Sequence, residues 1–231
     1  MTKKVLIDLS VRKDAPTHRT VSEERIVEWG DIHQKVDVAV RKAFPPLSKE
    51  KFRLEQIPYL AALPELVSAG HVELFRSIEY VMEDARNKRE DPGYLGLDVL
   101  EGVPIGSVKP PVPRTIVFGG YDSSIGTTKD EQIAFFKSIT DERFLEIRRA
   151  LDDGSGCDPH ISDAYHFWTA EHAELEIYLT MDKKFINVFG HQAAKKIKPR
   201  AEVMSPKQLC ESFGVGPKDI EQLAREKPPF R

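Results

Sequence analysis

The sequence predicts an α/β fold, a three-layer α/β/α arrangement around a mostly parallel central sheet. Three observations carry that expectation. Brief continuous apolar runs, Val5-Leu6-Ile7 and Ile177-Tyr178-Leu179, suit strands covered on both faces. Segments with apolar residues at helical spacing lie between such runs, so strands and helices alternate. A length of 231 residues, 40% of them hydrophobic, supplies a sizeable core without disulfide or structural-metal staples.

Taken in order, Val5-Leu6-Ile7-Asp8 reads as a strand with a carboxylate at its carboxyl end. Ser22 to Phe44 reads as a helix, from Ile26, Val27 and Trp29 followed by Ile32, Val36, Val38 and Val40, stopped by Pro45-Pro46. A second helical region starts near Ser48, is punctuated by Pro58 and Pro64, and ends at Ala69-Gly70. His71 to Phe75 is a strand, and Ser77 to Lys88 a helix carrying Ile78, Val81, Met82 and Ala85. Arg89 to Arg114 is dense in glycine and proline and predicts a surface excursion with neither helix nor central strand. Thr115 to Phe118 reads as a strand, Gly119 to Gly126 as a turn, and helices follow over Asp130–Ser138 and Asp141–Leu151. After the loop Asp152–Gly156 come a helix from Ile161 to Glu174, the strand Ile177–Leu179, and a last strand Ala201–Met204. Ser205-Pro206 then opens a helix with a capping side chain and proline at the first position, ending at Phe213-Gly214. A short helix from Pro217 closes the pattern. The expectation is a single domain over residues 1–231, with insertions at about 12–70 and 89–157.

The net charge of -3 argues against a generally basic nucleic-acid binder but leaves a local basic face open. Cys157 and Cys210 form no CxxC pair and are too few for a disulfide framework, which fits a reducing compartment. Asp8 ends the first apolar run, and no window approaches the ~20 apolar residues of a membrane span. The expected setting is cytoplasmic, with no membrane partner.

Ligands of open α/β sheets bind outside the carboxyl ends of the strands. Asp8 ends the first strand, Asp182 follows the Ile177–Thr180 strand, Asp163 opens the preceding helix, and Glu83 lies about two turns into another. Four such carboxylates at one edge repel one another unless a cation joins them, and hard cations such as Mg²⁺ or Mn²⁺ favour oxygen ligands. Each alone has a bland reading, Asp163 as a helix N-terminal charge above all. Glu79, one turn from Glu83, and Asp158, near Asp163, are neighbours that offer the same chemistry.

The run Asp163-Ala-Tyr-His-Phe-Trp-Thr-Ala170, then Ile177-Tyr-Leu-Thr180-Met-Asp182-Lys-Lys-Phe185, resembles the PIN-domain nuclease family. Val5-Leu-Ile-Asp8, Ser77 with Glu83, and Val203-Met-Ser-Pro206 with Leu209 are similar to its first strand, its strand-end serine and helical glutamate, and its last strand and helix. The family's small polar residue and Asn after the first aspartate are replaced by Leu9-Ser10-Val11. The resemblance implies a metal-dependent ribonuclease, with Asp8, Glu83, Asp163 and Asp182 holding Mg²⁺ or Mn²⁺ and Thr180 hydrogen-bonding a carboxylate or a phosphate. The alternative is a nucleic-acid-binding or interaction module of the same fold with weak or lost catalysis.

Lys183, Lys184, Lys195 and Lys196 are candidates to contact the phosphate backbone, against the plain reading of a solvated charged surface. His166 and His172 read as structural or surface histidines, since neither cysteine completes a zinc set. Phe167 and Trp168 read as core. No GxxxxGK[ST] loop is present, and Ser10 stands where an aspartyl-nucleophile phosphatase needs its second aspartate. A homodimer and a protein inhibitor are further partner classes compatible with the family.

Overall fold

The computed structural model describes residues 1–30, 32–43, 51–86, 96–114, 128–152, 160–192 and 197–226. The chain opens with strand β1 (Lys3–Ile7) and a short helix α1 (Leu9–Lys13), then enters a long hairpin, β2 (Pro16–Trp29) and β3 (Ile32–Ala43). Helices α2 (Lys51–Leu60) and α3 (Leu63–Ser68) lead to β4 (Val72–Arg76) and α4 (Ile78–Arg86). Two brief strands follow, β5 (Leu97–Asp98) and β6 (Ile105–Ser107), and then α5 (Lys129–Lys137), α6 (Glu142–Leu151) and α7 (Ile161–His172). The remainder is β7 (Ile177–Leu179), α8 (Lys183–Asn187), β8 (Glu202–Met204), α9 (Pro206–Ser212) and α10 (Ile220–Glu226).

Five strands form the central sheet in the order β6-β4-β1-β7-β8, and all neighbouring pairs are parallel. Helices flank it in a three-layer α/β/α arrangement. Successive side chains of β1 show why. Val5 and Ile7 enter one core with α1, α2, α3 and α9, while Leu6 enters the other with α5, α6, α7 and α8. Tyr178 of β7 belongs to the second core and its neighbours Ile177 and Leu179 to the first. Each fully buried Leu, Ile or Val contributes roughly 1.5–3 kcal/mol, so a strand of five residues is held by both layers.

The segment from Ser22 is a strand pair, which overturns the expected helix. β2 and β3 run antiparallel in register from His18↔Ala43 to Trp29↔Ile32. Val36, Val38 and Val40 recur at every second residue, the strand period, and the last pair before the turn is Trp29↔Ile32. Gly30 sits there at φ +61°, a left-handed conformation that the primed hairpin turns require and side chains resist. Gly-Asp between β-branched runs was the hairpin signal, and the Ile26/Trp29 spacing imitated a helix.

The excursion from Arg89 is described from residue 96 and contributes no helix there. Its strand β6 pairs with β4 at the edge of the sheet, and β5 pairs with the base of β2. The expected strand Thr115–Phe118, the turn Gly119–Gly126 and most of the loop Asp152–Gly156 lie outside the described residues. At the other end of the chain Ser205 and Gln208 form a reciprocal capping box with Pro206 at the first helical position, as the sequence predicts. No helix among the described residues is long and apolar enough to cross a membrane.

Candidate active site

Strand direction brings the carboxylates together. Asp8 follows β1 and Thr180, Met181 and Asp182 follow β7, and these strands are neighbours, with Asp8 N donating to Leu179 O at 2.9 Å. The loop after α7 meets the opposite edge, where Glu176 N donates to Lys4 O at 3.0 Å. A helix of 12 residues spans ~18 Å, so the first turn of α7, with Asp163, returns to the carboxyl edge. Helix α4 starts from the same edge after β4 and carries Glu83.

Asp8 is held in a web of hydroxyls. Its Oδ2 accepts from Thr180 Oγ1 at 2.9 Å and from Ser10 Oγ at 2.5 Å. Ser10 Oγ in turn accepts from Met181 N at 2.9 Å, and Thr180 Oγ1 accepts from Asp182 N at 3.0 Å. Asp8 is only 7% exposed, and these bonds tie the ends of β1 and β7 into one unit. The expected Thr180–carboxylate bond is therefore made to Asp8. Ser10 was not among the sequence-derived site residues. In the sequence it reads as a departure from the family pattern, although a hydroxyl two residues past a strand-end Asp is well placed to bond it.

Asp182 caps α8, with Oδ1 accepting from Lys184 N at 2.7 Å and Phe185 N at 3.1 Å. Asp163 accepts from His160 Nδ1 at 3.1 Å, and Lys184 Nζ donates to His160 Nε2 at 3.0 Å. Burial raises the Asp163 pKa above the ordinary carboxylate value. The His160 bond opposes this, while the charges of Asp8 and Asp182 add to the rise. Three carboxylates thus sense one another at one edge. The imidazole of His160 is itself shifted upward, chiefly by its bond to Asp163.

Glu83 is engaged differently. It faces His166 Nε2 at 3.4 Å, and the other ring nitrogen of His166 lies 3.2 Å from Ser77 Oγ. Burial alone would deprotonate His166, but Glu83, Asp8 and Asp163 together push its pKa up to about 9. Burial also opposes the charge on Glu83, yet His166, Ser162 and Arg86 bring its pKa below the usual range. Charge on His166 and Glu83 is thus mutually favoured within a buried pair, and His166 also feels the charges of Asp8 and Asp163. His166 is therefore structural in the sense expected, with a counter-ion role that no local sequence signal announces.

Glu79, the neighbour that might have taken the place of Glu83, is closed off. It is fully buried, with Arg114 Nε and Nη2 each 2.8 Å from its oxygens and Gln132 Nε2 at 2.6 Å. Arg114 also lies over the Phe135 ring at 4.4 Å. Glu79 fastens α4 to α5 and to the excursion, and takes no part in the acidic edge. His172 is exposed at the far end of α7, and Phe167 and Trp168 are core residues. Asp158, Cys157, Lys195 and Lys196 lie outside the described residues.

Lys183 and Lys184 stand exposed in the first turn of α8, beside Asp182. Among the described residues no group of three or more His, Cys, Asp or Glu side chains is arranged, as placed, to hold one metal ion. In donor type the edge fits a hard cation, because Asp8, Asp163 and Asp182 offer only oxygens and crowd their charges. An open depression lined by Arg143, Lys198, Pro199 and Arg200 lies elsewhere, near the carboxyl end of α7, where Glu171 closes on Arg143 at 2.7 Å. No protein-family model, curated protein or solved structure matches this chain.

Proposed function

We propose that this chain is a cytoplasmic, metal-dependent nuclease that hydrolyses phosphodiester bonds, with RNA as the substrate. What supports the reading is that Asp8 and Asp182 follow neighbouring strands at the carboxyl edge of a parallel sheet and that their charges bear on Asp163. Mg²⁺ or Mn²⁺ is the cofactor that this donor set suits, and Asp8, Asp163 and Asp182 would hold it. Such an ion supplies Lewis acidity and a water of lowered pKa.

The residues of the chain then divide the work. Ser10 and Thr180 fix the Asp8 carboxylate, so that its orientation is set before any ligand arrives. Asp163 is one-third exposed and, among the described residues, its side chain is bonded to His160 alone, which leaves it the most adjustable of the three. Glu83 sits one layer back, its charge matched by His166. Lys183 and Lys184 occupy a helix N-terminus, where the helix dipole disfavours cations. Lys184 is bonded to His160, and both exposed side chains would contact phosphates flanking the scissile bond.

The test is a melting curve with and without Mn²⁺, followed by incubation with labelled single-stranded RNA. The wild type is expected to gain several degrees with Mn²⁺ and to cleave, and Asp8→Asn and Asp163→Asn to lose both effects. Metal-dependent cleavage retained by Asp163→Asn moves the site elsewhere. A second reading rests on the replacement of the family's residues after Asp8 by Leu9-Ser10-Val11 and on the lack, among the described residues, of three donors grouped for one ion. It makes the chain a nucleic-acid-binding module, and the same incubation then gives bound but uncut RNA.

A further inference from the structure

Among the described residues no side chain of the long hairpin is bonded to Asp8, Asp163 or Asp182. Beyond its base the hairpin has only two strands, because β5 pairs with β2 only at Pro16 and His18. Two-stranded hairpins are marginal in water, and stability comes with further strands or a covered apolar face. One face is the richer in apolar residues. Register places Val21, Val27 and Trp29 of β2 on the side that carries Val36, Val38 and Val40 of β3, with Arg25 opposite Val36 and Glu23 opposite Val38. Trp29 is 84% exposed and Val27 44%. The outer edge of β3 has no strand beside it among the described residues.

We propose that this edge binds a second copy of the chain, with the two β3 strands pairing antiparallel about a two-fold axis through Val36. Charge selects the occupant and the register. A two-fold pairing that keeps the valine-bearing faces on one side is centred on a single residue of β3. Centring on Lys35 sets Lys35 against its own copy, and centring on Asp37 does the same for Asp37. Centring on Val38 sets Lys35 against Arg41 of the second copy. Centring on Ala39 needs Arg41 for Asp37, and Arg41 is held at the base by Ala224 O at 2.9 Å.

Centring on Val36 places Lys35 opposite Asp37 of the second copy, and the symmetry makes that ion pair twice. It also answers a conflict inside each hairpin, where Glu24 and Asp37 are direct cross-strand neighbours of like charge and Lys35 reaches only Glu24, at 2.7 Å. The result is a four-stranded sheet in which Val36 and Val38 of both copies share one face. The paired edge is about 30 Å long at ~3.4 Å per residue, an interface of the small class, so the dimer dissociates on dilution.

The experiment is sedimentation equilibrium of the full chain across a concentration series. The wild type is expected to pass from monomer to dimer in the micromolar range. Lys35→Asp and Asp37→Lys each set like charges opposite one another twice and weaken self-association by about tenfold or more. Mixing the two variants restores opposite charges at both positions, and the mixture is expected to form a heterodimer about as tightly as the wild type. That rescue separates the proposal from a hairpin that has merely unfolded. A wild type that stays monomeric into the hundreds of micromolar overturns the proposal and leaves the edge to a different partner strand. Variants that dimerise like the wild type, or a mixture that fails to associate, overturn it as well.

Discussion

The central sheet and the hairpin are both built from Val, Ile and other β-formers, yet they belong to different environments. In the sheet, Val5, Leu6 and Ile7 are buried on alternate faces under two layers of helices. In the hairpin, Ile26, Val27 and Trp29 are exposed on a strand of 14 residues, against five in β1. The short strands are stabilised by what covers them and the long ones chiefly by each other. Strand length is therefore a poor guide to stability here, and burial a good one.

Mutations should separate the two regions, and the largest effect belongs to the body. Glu79→Ala leaves Arg114 buried beside α4 without its carboxylate, and is expected to cost about 3–5 kcal/mol in urea unfolding. A loss under about 1 kcal/mol there would mean that the Glu79–Arg114–Gln132 cluster does not hold α4 to α5. Next, Ile7→Ala is expected to cost about 2–5 kcal/mol, and Val38→Ala in the hairpin under about 1 kcal/mol at concentrations where the chain is monomeric. Equal costs at the two positions would erase the contrast.

A third difference appears in pH. His166 titrates at about 9 in the folded chain against an ordinary 6.5, so the folded state keeps a proton that the unfolded chain releases between those values. Its stabilisation is whole below about pH 6.5 and is lost as pH rises through 9. In EDTA the wild type should lose on the order of 2–3 kcal/mol over that range, and His166→Gln should show a flatter profile. The smallest effect falls in the hairpin, where Gly30→Ala forces a left-handed backbone on alanine at a cost of about 1 kcal/mol. Unchanged amide exchange along β2 and β3 in that variant would show that the turn is not held at φ +61°.

The candidate site was only partly legible. Asp8 and Asp182 were readable because each stands directly after a short apolar run, and strand direction alone sends both to one edge. Asp163 was readable as the opening of the helix before β7. Glu79 and Glu83 could not be told apart, since they lie one turn apart on the same helix. What separates them is their partners, Arg114 and Gln132 for one and His166 for the other, and each comes from a distant part of the chain. Ser10 was seen only as a residue out of pattern, because its bond to Met181 N crosses 171 positions.

By itself the sequence determined the alternation of strands and helices, the two-sided burial of the short strands, and the edge at which the aspartates gather. These follow from local periodicity and from the fixed geometry of parallel strands. The tertiary structure alone decided that Glu79 is a structural charge and that His166 answers Glu83. Those outcomes depend on pairings between residues far apart in the chain. A pattern read within a few residues carries no information about such a partner.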